Sequence, residues 1–400
     1  GCGSLKLEIK SPDEKVLWEK ALQIDSPQPG PILMPVSPHQ VRDAKFLNWT
    51  AEPGSNLTFS TLRLGVELPA GSSERHLLLA SYAKLQRCWS PETGLVRDRA
   101  HIEAGAFDSV PASGYFALAA SALAQQSVGV VEPEFAKKAV HRLHDTLVQL
   151  PKARGLLPHF VKRVDGRLTI HPGTEYSSID TAICLQSLLL AAIILDDKEL
   201  IDSSLKMIKA VDVKALRLGD GAISHGFRED GVTKLPYGWR DWGGETALVL
   251  LLSRMAAPDD LTAVMEKTGR VWQGSGFITE IQSLFHPDFD SATPDALSGV
   301  SWQEARQQML AEQKAYFPTH MPDSFAAKNG FFGLSAGEGV FGTSYVVGGV
   351  GLKGQTTIHP HYFIMSATLE KETKSVHLML RRFAQSGCYH PLGLVETLSA

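Results

Sequence analysis

Residues 177–210 read Ser177-Ser178-Ile179-Asp180-Thr181-Ala182-Ile183-Cys184-Leu185-Gln186-Ser187-Leu188-Leu189-Leu190-Ala191-Ala192-Ile193-Ile194-Leu195, then Asp196-Asp197-Lys198-Glu199-Leu200-Ile201-Asp202-Ser203-Ser204-Leu205-Lys206-Met207-Ile208-Lys209-Ala210. The first segment carries no charge after Asp180 and is apolar nearly all round, so a helix there must be enclosed by other protein. The second puts Leu200, Ile201, Leu205 and Ile208 on one side and its lysines and acids on the other, so it can face water. The contrast recurs along the chain. Gly114 to Ala124 and Thr246 to Leu252 are apolar nearly all round, whereas Glu132 to Leu150 is one-sided. Alternating enclosed and one-sided helices are what two concentric helical rings require, and the expected fold is an all-α toroid.

Apolar spacing of three and four predicts helices at 76–89, 113–126, 132–150, 177–195, 198–210, 243–256, 259–268, 302–316, 360–371 and 373–386. Strands between them are sparse, which disfavours a doubly wound sheet. No sequence period of the kind a stacked solenoid shows is present, so the ring is closed. Residues 1–75 differ in texture. They are rich in Pro, Ser and Gly, and they alternate at Leu57-Thr58-Phe59-Ser60-Thr61-Leu62-Arg63-Leu64-Gly65-Val66. The expected division is a tether and partly extended region over 1–75 and the toroid over 76–400.

The 400 residues are 44% apolar and 20% charged, with a net charge of -4 and no Lys/Arg block that would follow a phosphate backbone. Nucleic acid is excluded as a partner on that ground. No run reaches the roughly 18 apolar residues that span a bilayer. Cys88, Cys184 and Cys388 are scattered and lack metal-ligand spacing. Cys2 differ from them by position: in Gly1-Cys2-Gly3-Ser4 it stands as a lipidated cysteine does after a signal peptide is removed. The expectation is a periplasmic or outer-membrane-anchored bacterial lipoprotein, attached to the membrane through Cys2.

Polar and aromatic residues concentrate where loops enter helices. One stretch runs Thr93-Gly94-Leu95-Val96-Arg97-Asp98-Arg99, followed by Ser113-Gly114-Tyr115. Another is Leu157-Pro158-His159-Phe160, leading to Glu175-Tyr176-Ser177-Ser178-Ile179-Asp180-Thr181-Ala182. A third is Tyr237-Gly238-Trp239-Arg240-Asp241-Trp242-Gly243-Gly244-Glu245, and a late one joins Asn329-Gly330-Phe331 to Gly354-Gln355-Thr356-Thr357-Ile358-His359-Pro360. If inner helices run in one direction, Glu175, Asp180, Asp241 and Glu245 crowd round one mouth. Taken singly, Asp180 is also the acid of a capping box begun by Ser177, and Glu245 also suits the positive end of its helix.

In order and spacing these stretches resemble the glycoamylase-like family of glycoside hydrolases, over residues 90–395. The resemblance implies an (α/α)6 toroid with a carboxylate-lined pocket at one end, and β-linked glucans among the substrates. It departs from the family at Gly354-Gln355-Thr356-Thr357, where an acidic residue beside the glycine is expected.

Glycoside hydrolysis needs one protonated carboxyl for the leaving oxygen and one carboxylate as base or nucleophile. Glu245, Asp180 and Glu175 are the catalytic candidates. Trp239, Trp242 and Tyr176 offer sugar-stacking faces. Asp241, Arg97, Asp98, Arg99, Arg240 and His159 offer hydrogen bonds to hydroxyls or to the carboxylates. His159, His359 and His361 lack zinc spacing, so no metal and no cofactor are expected. The partner is an oligosaccharide or polysaccharide. Two rivals share the fold: a polysaccharide lyase using Tyr176, Tyr237, His159 or His225 as base, and a glycan-binding lipoprotein without turnover.

Overall fold

The computed structural model describes residues 3–24, 46–51, 53, 73–99, 107–259, 270–296, 298–340, 345–369, 373–386, 388–390 and 393–400. Twelve α-helices lie among them. They are α1 (Ser73–Cys88), α2 (Val110–Leu123), α3 (Pro133–Gln149), α4 (Ser178–Ile194), α5 (Lys198–Lys209), α6 (Val213–Leu216), α7 (Glu245–Ala256), α8 (Gly276–Phe285), α9 (Trp302–His320), α10 (Phe325–Asn329), α11 (Pro360–Ser366) and α12 (Thr373–Gln385). The helix expected at 259–268 lies almost wholly outside the described residues, as do Cys2 and the alternating stretch 57–66.

Contacts divide the chain into two compact units, Gly1–Glu67 with Gln385–Gly387, and Leu68–Ala384 with Cys388–Ala400. In the first, β1 (Gly3–Lys10) lies between β2 (Val16–Ile24) and β3 (Phe46–Ala51), antiparallel to both. Period-two alternation explains it: Leu5, Leu7 and Ile9 are buried, while Lys6 reaches Glu8 and Glu19 at 2.9 Å on the other face.

The second unit is built on helix pairs. In α2 and α4 buried positions occur all round, whereas α3 buries Ala136, Ala139, Val140, Leu143 and Leu147, and α5 buries Leu200, Ser204 and Ile208, each along one stripe. Gly114 lets the two enclosed helices touch, since a Cβ there would stand 2.8 Å from Cys184 Cα. Gln186 of α4 donates to Leu248 O of α7 at 2.9 Å, carrying the contact onward. α8 meets α9 through a fully buried ion pair, Arg306 with Glu280, at 2.5 Å. No helix among the described residues is long and apolar enough to cross a membrane.

Strands accompany these helices, so the purely helical expectation is incomplete. β4 (Val96–Arg97), β5 (Asp108–Ser109), β6 (Phe160–Val164) and β7 (Arg167–Ile170) form an antiparallel sheet. β8 (Tyr176–Ser177) pairs with β10 (Gly226–Phe227), and β9 (Ile223–Ser224) with β11 (Gly238–Trp239). β12 (Ala336–Glu338) pairs with β13 (Tyr345–Val347). At two to five residues, the strands of this unit are too short for alternation to be read in sequence.

Candidate active site

Four helices start at one cavity of about 640 Å³. Ser109 caps α2 and Ser177 caps α4, each accepting a backbone N–H of the first turn; Glu245 is the first residue of α7, and α8 begins at Gly276. Ser109 and Tyr115, Ser177 and Asp180, Glu245, and Phe277 and Ile278 all line the cavity from these starts. The strand-bearing loops supply His159, Glu175, His225 and Trp239, and the β12–β13 hairpin adds Ala336, Tyr345 and Val347.

Local sequence dictates these placements. Gly244, at φ +58°, carries the chain into α7; a Cβ on it would meet Ile278 O at 2.3 Å, and one on Gly243 would meet the Trp302 ring at 2.4 Å. The glycine pair therefore lets α7 begin against α8, with Glu245 at the cavity. On the neighbouring loop, Gly226 has φ +145° and a Cβ would lie 1.9 Å from Tyr176 O. That close approach registers His225 beside α4, where Ser178 N donates to His225 O at 2.9 Å.

Three charged side chains meet inside. His159 Nδ1 lies 3.0 Å from Glu175 Oε1 and 3.6 Å from Asp180 Oδ2. Burial opposes a charged imidazole, but Asp180, the Glu175 hydrogen bond and Asp98 outweigh it and raise the His159 pKa. The same hydrogen bond lowers that of Glu175, against burial. Asp180 is raised by burial, with His159 and Ser177 opposing. Glu245 is pushed up to about 7, by burial first and by the charge of Asp180 second, with His159 opposing. A carboxyl raised to about 7 thus shares the cavity with Asp180, also raised, and with Glu175, which the hydrogen bond from His159 holds toward its ionised form.

The capping-box alternative for Asp180 is only half formed. Ser177 Oγ accepts from Asp180 N at 3.1 Å, but Ser177 N donates to Leu157 O at 3.1 Å, so the return bond of the box is not made and the Asp180 carboxylate meets the Ser177 side chain, His159 and the cavity.

The aromatic residues separate. Trp239 lines the cavity, stacks on His225 at 4.0 Å and 17°, and donates from Nε1 to Ser178 Oγ at 2.9 Å. Tyr176 and Trp242 do not line it. They are buried core residues, Trp242 donating to Asp295 and packing near Phe289. Strand alternation accounts for Tyr176: Glu175 and Ser177 face the cavity, so the residue between them faces away.

The arginines and Asp241 also stand outside the lining. Arg240 pairs with Asp220 and donates to Gly238 O at 3.0 Å. Arg97 donates to Arg99 O at 2.9 Å, and Arg99 reaches Glu338 at 2.7 Å. Asp98 has its pKa raised by burial and acts on His159 by charge. Tyr115, quoted in one of the sequence stretches but given no role there, lines the cavity; the reasoning that places Asp180 at a helix start applies equally to α2, whose cap is Ser109. Phe277 and Ile278 carried no such signal, because α8 itself was not read.

His159, Glu175 and Asp180 offer donor atoms all within 4.8 Å of one another, a mixed nitrogen and oxygen set of the kind that holds a cation. In this arrangement the His159 to Glu175 hydrogen bond occupies one nitrogen and one oxygen of that set.

No family model and no curated protein matches the sequence. Solved structures match its fold. An assumed glucoamylase from Bacteroides uniformis aligns at TM-score 0.66 and 13% identity, over 84% of this chain and 86% of that one. The endo-β-1,2-glucanase from Chitinophaga pinensis, solved with sophorotriose and glucose, aligns at TM-score 0.65 and 13% identity, over 83% and 87%. The endo-β-1,2-glucanase from Talaromyces funiculosus, solved with sophorose, gives 0.58 and 13%, over 82% and 78%. At these identities the likeness is one of fold. It agrees with the motif resemblance to the glycoamylase-like family.

Proposed function

We propose that this chain is a glycoside hydrolase acting on a glucan, with Glu245 as general acid and Asp180 as base. The observation that carries the reading is the pairing in one cavity of a carboxyl raised to about 7 with a second carboxylate beside a histidine. Glu245 gives its proton to the glycosidic oxygen as the bond from the sugar carbon breaks. Water attacks that carbon, and its proton passes to Asp180. Glu175 holds His159, and His159 favours the ionised form of Asp180. Trp239, braced by Ser178 and His225, is the sugar platform. Arg97, Asp98, Arg99, Arg240 and Asp241 act at one remove, through the loops that carry these groups.

The helical unit is read as an (α/α)6 ring over 76–400, preceded by a partly extended region over 1–75. Because similar folds belong to endo-β-1,2-glucanases, a β-1,2-glucan is the first substrate to test. The lyase reading is weaker, because the described residues lining the cavity include three acids and neither Lys nor Arg to hold a uronate. Incubation with linear β- and α-glucans, followed by reducing ends, tests the proposal. Glu245→Gln and Asp180→Asn should each lower turnover roughly a hundredfold. Full activity in both variants would reject the assignment.

A further inference from the structure

Among the groups lining the cavity, Tyr115 has no role in the chemistry above. Tyr115 lies on the face of α2 that also presents Pro111 and Ala112 to the cavity. Its ring packs on Phe285 of α8 at 5.7 Å, and the adjacent Gly114 seats α2 directly on α4 at Cys184. The Tyr115 hydroxyl is buried and has no hydrogen-bond partner in the protein. A buried O–H in that condition is costly unless a bound molecule completes it.

The charge environment says which kind of molecule. Burial raises the phenol far above its usual range, and Glu245 and Asp180 add to the effect. The group is therefore a hydrogen-bond donor at every working pH, next to two carboxyl groups. A sugar hydroxyl is complementary to that arrangement, since it gives its hydrogen to a carboxylate and accepts one on its oxygen. Among the described residues no Lys or Arg lines the cavity to compete for that oxygen.

We propose that Tyr115 is a further catalytic residue of this site, its hydroxyl donating to a ring hydroxyl of the glucosyl unit held beside Asp180 and Glu245. The inference rests on the hydrolase reading and goes beyond it. It makes Tyr115 a determinant of which hydroxyl must be free and correctly oriented in the reacting sugar.

The test is Tyr115→Phe, assayed on linear β-1,2-glucan alongside the wild type and Glu245→Gln. Phe keeps the ring and its packing, so the melting temperature should hold or rise while kcat/KM falls roughly tenfold to a hundredfold. Monodeoxy oligosaccharides give the second reading. With the analogue that lacks the contacted hydroxyl, wild type and Tyr115→Phe should turn over at equal rates. Unchanged kcat/KM in Tyr115→Phe, with Glu245→Gln inactive, would overturn this inference and leave the hydrolase reading standing. A lowered melting temperature with activity lost equally on every deoxy analogue would make the role structural and also overturn it. A wild type that neither cleaves nor binds any glucan would overturn both.

Discussion

Glu245, the proposed general acid, is a residue at which the requirement of the proposed chemistry opposes stability. Its carboxyl starts a helix, where a negative charge is ordinarily welcome, yet burial and Asp180 raise its pKa from 4.5 to about 7. Between those values the native state keeps a proton that the unfolded chain releases. Native protons then exceed unfolded ones, so this group's contribution to stability falls as pH rises through that window. Glu245→Gln removes the titration. The variant should therefore melt roughly 1–3 °C above wild type at pH 8, and the gap should close toward pH 4.5. Thermal melts across that range check it, and a variant less stable than wild type at pH 8 would contradict it. The residue scale is also where sequence reading succeeded and failed side by side. Glu175, Asp180 and Glu245 were expected round one mouth and do line one cavity, the last two from helix starts and Glu175 from the loop before α4. Tyr176 and Trp242 were misplaced because neighbouring aromatics look alike in sequence, while backbone alternation and Asp295, 53 residues further on, decide which way they point.

Among elements, those with a long apolar period were legible. α2, α3, α4 and α5 all begin and end within about three residues of their expected bounds. α8 was not, because its ten residues open with a glycine and follow a turn through Trp272–Gly274. α6 and α10, at four and five residues, have too few turns to carry a period. The loop strands are decided by tertiary contact, above all by the approach of Gly226 to Tyr176 O. Gly226→Ala should cost about 3 kcal/mol or more, because both the positive φ and the contact forbid a Cβ. Gly354→Ala, which shares a positive φ but has nothing within 4 Å, should cost about 1–2 kcal/mol. Denaturant titration of the two variants separates the contact from the backbone effect. Equal costs would mean that the packing of β8 on β10 does not constrain the loop.

On the scale of the whole molecule, the fold and its cavity have one cause. Enclosed helices packed side by side bring residues more than 130 positions apart in sequence, from Ser109 to Glu245, to the same opening. The alternation of enclosed and one-sided helices was visible beforehand. The short sheets that carry His159, Glu175 and Trp239 to that opening were not, because they exist only once the helices are assembled. What the proposed mechanism requires of the assembly is a protonated Glu245 beside an ionised Asp180, and that difference is its central claim. The pH dependence of kcat/KM on a linear glucan reads it directly. Glu245 must hold its proton to act, so activity should fall above about pH 7, in step with the loss of that proton. A rate that stays flat between about pH 6 and 9 would contradict the account.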